Sequence, residues 1–77
     1  MGKLGQITPQ EFERFLRYVG CVYVRQKGSH KVFHRAGLKR PIIVPIHGGD
    51  LPVFVVRNNL RLLNISLNDY QEMLERM

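Results

Sequence analysis

The sequence has a single cysteine, Cys21, so no internal disulfide is possible and a reducing cytoplasm is the expected setting. It has no run of ~18 apolar residues, so nothing in it reads as a membrane span. Its first residues, Met-Gly-Lys-Leu-Gly-Gln, lack the apolar stretch of a secretory signal, and none is expected. The largest gap is in charge. No Asp or Glu occurs from Arg14 through Gly49, a block that carries eight basic residues: Arg14, Arg17, Arg25, Lys27, Lys31, Arg35, Lys39 and Arg40. The rest of the chain carries four basic residues against six acidic ones, and the formal net charge is +6. A one-sided basic block points to a polyanion, nucleic acid first, although a generic solvated basic surface has the same composition.

Metal and nucleotide motifs are also missing. His30 and His34 lie four residues apart, which on a strand separates their Cα atoms by about 13 Å, too far to share a zinc ion. With no CxxC pair and no helical HxxxH, neither a metal nor another cofactor is expected. Gly48-Gly49-Asp50 lacks the Gly-Lys-Ser/Thr ending of a phosphate-binding loop. Ser29 stands beside His30, but no acid lies nearby to orient a base, so Gly28-Ser29 reads as turn chemistry rather than as a nucleophile.

What is present is one domain's worth of pattern over residues 1–77, with 44% hydrophobic and 23% charged residues. A domain this small buries only about 60% of its unfolded surface, so its core is thin and a partner covering one face would add stability. Thr8-Pro9-Gln10-Glu11 is a helix start with a capping box, and Ile7 and Phe12 stand as a hydrophobic staple. Phe12, Phe15, Leu16 and Val19 form one apolar stripe, and Gly20 suits a left-handed stop. The first helix is thus expected over Pro9 to Val19. Strands follow over Cys21 to Lys27, about His30 to Arg35, and Pro41 to Ile46, the last an edge because of its prolines. Val53, Val56, Leu60 and Leu63 mark a second helix ending at Asn64. Ser66 caps a third, with Leu67, Tyr70, Met73, Leu74 and Met77 on its apolar side. The expected fold is α+β: a three-stranded antiparallel meander with helices on one face and the other face open to a ligand or partner. Val22, Val24, Tyr23 and Arg25 do not alternate cleanly, so the buried face is not evident. The Val53–Val56 run is either core or a partner groove.

The stretch that organises the chain is the turn Lys27-Gly28-Ser29-His30 and the strand it opens. A histidine can take or give a proton near neutral pH. Arg25, Lys27 and Lys31 stand close enough in sequence to hold a phosphodiester, and cations stabilise the charge that develops on phosphorus. RNA brings its own nucleophile, the 2′-hydroxyl, so one histidine can suffice without metal. A hairpin histidine that touches nothing is the plainer alternative.

Val22 to His34, VYVRQKGSHKVFH, resembles the HicA/YcfA-type toxin family. The hexad Arg-Gln-Lys-Gly-Ser-His is its specific part. Val44-Pro45-Ile46-His47, Val56-Arg57-Asn58-Asn59-Leu60 and Ile65-Ser66 extend the likeness over about Thr8 to Leu74. The resemblance implies a double-stranded-RNA-binding-domain-like fold, α-β-β-β-α with an extra C-terminal helix. It also implies a metal-independent mRNA endoribonuclease that blocks translation, with mRNA as substrate and a HicB-type antitoxin that masks the site. His30 falls on the family's catalytic histidine. Arg25, Lys27, Gly28, Ser29, Lys31 and Arg35 are the expected RNA-binding set, although strand alternation puts Lys31 and Arg35 opposite His30, leaving Lys27 the foremost cation. His47 is a candidate second acid. Three departures stand out. Phe54-Val55 replaces the family's Gly-Thr, Cys21 stands where an aromatic is common, and the third helix is longer than in the shortest members. A non-catalytic RNA-binding module of the same fold and a protein-docking module remain alternatives.

Overall fold

In the computed structural model, which describes residues 6–46 and 48–77, the order is α1 (Pro9–Tyr18), β1 (Val22–Lys27), β2 (His30–His34), β3 (Ile42–Pro45), α2 (Val53–Leu63) and α3 (Leu67–Arg76). The α+β architecture expected from the sequence is therefore present, including the additional C-terminal helix. Among the described residues no helix is long and apolar enough to cross a membrane.

Local chemistry marks most of the helix ends, although α2 begins after Pro52 with no side-chain cap. The Thr8 hydroxyl accepts from the Glu11 N–H at 3.1 Å, and the Thr8 N–H donates to Glu11 Oε1 at 2.9 Å. At the other end of α1, Gly20 takes φ +94°. Cys21 N–H then reaches the Leu16 carbonyl at 2.9 Å and Gly20 N–H the Arg17 carbonyl at 3.1 Å, the paired bonds of a Schellman stop. Asn64 ends α2 the same way, with φ +58°. Ser66 caps α3 by accepting from Asp69 N–H at 3.1 Å.

The sheet order is β1-β2-β3, all antiparallel. Tyr23 pairs with Phe33 but Arg25 pairs with Val32, so Val24 is an extra residue in β1. This bulge resolves the broken alternation. Without it Tyr23 and Arg25 would share a face. With it Tyr23, Lys31, Phe33, Ile42 and Val44 face the helices. Val22, Arg25, Lys27, His30, Val32, His34, Ile43 and Pro45 face away.

One apolar cluster fills the helix side. Phe12, Phe15 and Leu16 of α1, Phe33, Ile42 and Val44 of the sheet, Val56 of α2 and Tyr70 of α3 are essentially inaccessible. Val56 thus belongs to the core, whereas Val53 and Phe54 lie at the surface. Leu67, expected on the buried side of α3, is nearly half exposed, whereas α3 reaches the cluster through the buried Tyr70 and the partly buried Met73 and Leu74, with Met77 at its C-cap.

Tyr70 carries a local conflict. Its ring stands edge-on to Phe15, with centroids 4.8 Å apart, while its hydroxyl has no hydrogen-bond partner among the described residues. Burial first, and the nearby Glu11 charge second, push its pKa up to about 12. Tyr70→Phe keeps the ring contacts and removes the orphaned hydroxyl. It is expected to leave stability unchanged or raise it by up to about 1 kcal/mol, read as a melting midpoint that does not fall. A drop of several degrees would mean that the hydroxyl has a partner.

Candidate active site

The hairpin that carries His30 is fixed by its turn. Gly28 has φ +60° and is followed by Ser29 without positive φ, the pattern of a type II′ turn, which matches the twist of the flanking strands. A Cβ at Gly28 would meet nothing within 4 Å, so the glycine is needed for its conformation and not for space. The Gln26 side-chain amide donates to the Gly28 carbonyl at 3.0 Å. Ser29 ties the turn to the next strand, its carbonyl accepting from Ile46 N–H at 2.8 Å. His30 is therefore held from both sides, opposite Lys27 on β1 and opposite Pro45 on β3.

That register puts Lys27 beside His30 on the open face, with Arg25 further along the same face of β1. All three are exposed. The strand residues of this face include no acid. His34 shares the face at the far end of β2, where it pairs with Val22. His47 lies outside the described residues.

The structure does not bring the other two cations here. Lys31 points to the helix side, where its Nζ meets Glu13 Oε1 at 3.0 Å and lies 5.9 Å from the Tyr23 ring centre. Arg35 Nη1 donates to the Val19 carbonyl at 3.0 Å and props the end of α1 against β2. Cys21 is buried beneath this strut, and burial pushes its thiol pKa up against the opposing pull of Arg35. Its place is an ordinary core position.

Glu13, which joins helix to sheet through Lys31, also receives Arg17 Nη2 of its own helix at 3.0 Å. Burial works to raise its pKa, but the hydrogen bonds and charges of Arg17 and Lys31 outweigh it and hold the carboxyl below its ordinary value. A lowered carboxylate pKa stabilises the fold above the unfolded-state value of 4.5, and that contribution is lost as pH falls through the folded one. Urea titrations from neutral to acid pH are expected to show Glu13→Gln costing under about 1 kcal/mol near neutrality and nothing in acid. An equal cost at both ends would place its effect in packing instead.

Beside His30 the open face turns into a groove of about 350 Å³. Ile43 and Pro45 form its floor, and Phe54, Val55 and Asn58 of α2 its far wall. Asn59 fixes α2 there, its side-chain N–H donating to the Ile43 carbonyl at 3.2 Å, which also satisfies a group on an edge strand. Phe54 and Asn58 were not among the site residues expected from the sequence. The departure from Gly-Thr at Phe54-Val55 was the available signal. Among the described residues no three His, Cys, Asp or Glu side chains gather as a metal site.

The molecule is thus of the α+β class in which helices cover one face of a three-stranded meander and the other face presents a histidine between cations and an apolar groove. Residues 9–65 match the family model described as HicA toxin of bacterial toxin-antitoxin, and the chain belongs to that family. The match runs from α1 through the end of α2, leaving α3 beyond it. No curated protein matches the chain. Family membership gives the chain the toxin role in a toxin–antitoxin pair, and hence an antitoxin as partner.

Proposed function

We propose that this toxin is a metal-independent endoribonuclease that cuts mRNA in the cytoplasm and so inhibits translation, with His30 moving the proton. The observation that carries the reading is the Lys27–His30 pair, side by side on a face whose strand residues include no acid. Arg25 and Lys27 hold the phosphate backbone, and Gly28 and Ser29 aim the histidine. His30 takes the 2′-hydroxyl proton as that oxygen attacks the adjacent phosphorus. The bond from phosphorus to the 5′-oxygen breaks, and the leaving oxygen takes a proton back from the imidazolium. The products are a 2′,3′-cyclic phosphate and a 5′-hydroxyl. The Lys27 ammonium offsets the charge that builds on the phosphoryl oxygens. No metal is required, because the substrate supplies the nucleophile. A HicB-type antitoxin covering the open face would block the site.

The test is cleavage of a long single-stranded RNA in EDTA, beside the same sequence made as DNA. The expected result is cleavage of the RNA alone, with cyclic phosphate ends. RNA retarded on a native gel but never cut would replace this reading with a binding module of the same fold.

A further inference from the structure

The groove beside His30 continues past α2. Asn58 lines it, and the same residue lines a second cleft together with Arg40, Arg61 and Leu62. Arg40 comes from the loop before β3 and Arg61 from the C-terminal half of α2, so two arginines from different elements line one hollow. Among the described residues the ion pairs are Arg17–Glu13, Lys31–Glu13 and Arg76–Glu72, and none involves Arg40 or Arg61. Two cations gathered without an anion suit a phosphate, which a pair of guanidinium forks binds in defined geometry.

The groove beside His30 is mostly apolar, it shares Asn58 with the second cleft, and Phe54, a residue 65% exposed, is part of its lining. An exposed ring at the rim of a groove is a stacking surface for a base. The spacing also suits a strand of nucleic acid. His30 pairs with Pro45 at one end of β3, and Arg40 lies two residues before Ile42 at the other. The strand itself spans about 10 Å. A nucleic-acid strand crossing that length meets Lys27 beside His30 at one end and Arg40 and Arg61 at the other, with the mostly apolar groove and Asn58 between.

Building on the ribonuclease reading above, we propose that the RNA strand runs from His30 through this groove, with one base stacked on Phe54 and a following phosphate held by Arg40 and Arg61. All three side chains are exposed, so their replacement leaves the core intact.

The test uses the full chain carrying His30→Ala, so that RNA stays whole, with an end-labelled single-stranded RNA titrated across a range of salt. Arg40→Gln combined with Arg61→Gln is expected to lower the slope of log affinity against log salt by about 0.7 for each phosphate that is no longer neutralised. Phe54→Ala is expected to weaken binding about tenfold or more with the slope unchanged, since it removes a stacking surface and no charge. A double variant with the parental slope, or Phe54→Ala with the parental affinity, would overturn the path while leaving cleavage at His30 standing. Failure of the parent itself to bind RNA would overturn the path and the ribonuclease reading together.

Discussion

A His30→Ala chain is expected to keep its fold and to cut RNA about 10²- to 10⁴-fold more slowly than the parent. The size follows from what is removed. His30 is the group assigned the proton transfer, and a positioned acid–base side chain contributes about that factor. Its exposure makes the structural cost small: a surface substitution of this kind stays within about 0.5 kcal/mol. Lys27 is the contrasting case. Lys27→Gln removes a cation from the same face, so it is expected to weaken RNA binding and flatten its salt dependence while some cleavage survives at saturating RNA. Melting curves and cleavage rates of the variants, measured together, check both. A His30→Ala chain as active as the parent would remove the histidine from the mechanism. An unfolded one would show that the residue is structural.

The largest stability effect is expected at Phe33, where alanine should cost about 3–5 kcal/mol. Phe33 is fully buried in β2, three residues from His30, between Tyr23 and Ile42 on the neighbouring strands. Its ring meets the Tyr23 ring at 5.9 Å in an edge-on arrangement, and the Arg17 guanidinium lies 6.0 Å from its centre. Truncation leaves a cavity where helix and sheet meet and strips the Tyr23 ring, half exposed already, of its aromatic neighbour. A domain of this size has a total stability of only about 4–12 kcal/mol, so the loss is a large share of it. Loss of activity in Phe33→Ala therefore reflects unfolding, with no role at the phosphate. Urea denaturation gives the number, and a loss below about 1 kcal/mol would mean that the layers do not depend on this ring.

The helices were legible because their ends are written in single residues. Thr8, Pro9 and Glu11 name the start of α1, Gly20 its stop, and Asn64 and Ser66 divide α2 from α3. The strands were legible as runs but not as faces. Val24 is the reason: an inserted residue leaves no mark in composition, yet it reverses which side every later residue of β1 occupies. Only the pairing with β2 reveals that Arg25 and Lys27 share the face of His30. The opposed placement of Lys31 was readable from alternation along β2. Its bond to Glu13 was not, because the two residues are distant in sequence and meet only when α1 lies on the sheet. The groove was hidden for the same reason. Phe54 and Asn58 join His30 in one groove through the packing of α2 on the edge of β3, held by Asn59; the Phe54-Val55 departure marked the segment, but nothing local in the sequence tied it or Asn58 to His30.

The structure also explains how so small a domain keeps one sheet face free of its helices. The helices bury one side of the sheet, and the cations on that side, Lys31 and Arg35, are occupied by Glu13 and by the Val19 carbonyl. Arg25 and Lys27 stand on the other side with the histidine. Charge that looks uniform within the basic block is thus divided into a structural half and a half available to a ligand.

The sharpest check on this division is a nuclear magnetic resonance titration of the isotope-labelled protein with an RNA whose 2′-hydroxyls are methylated, so that it binds and is not cut. Shifts are expected at Arg25, Lys27, His30 and Ile43 on the open face, with Lys31, Glu13 and Arg35 unmoved. Shifts centred on Lys31 and α1, with His30 unaffected, would refute the division and put the RNA on the other side of the molecule.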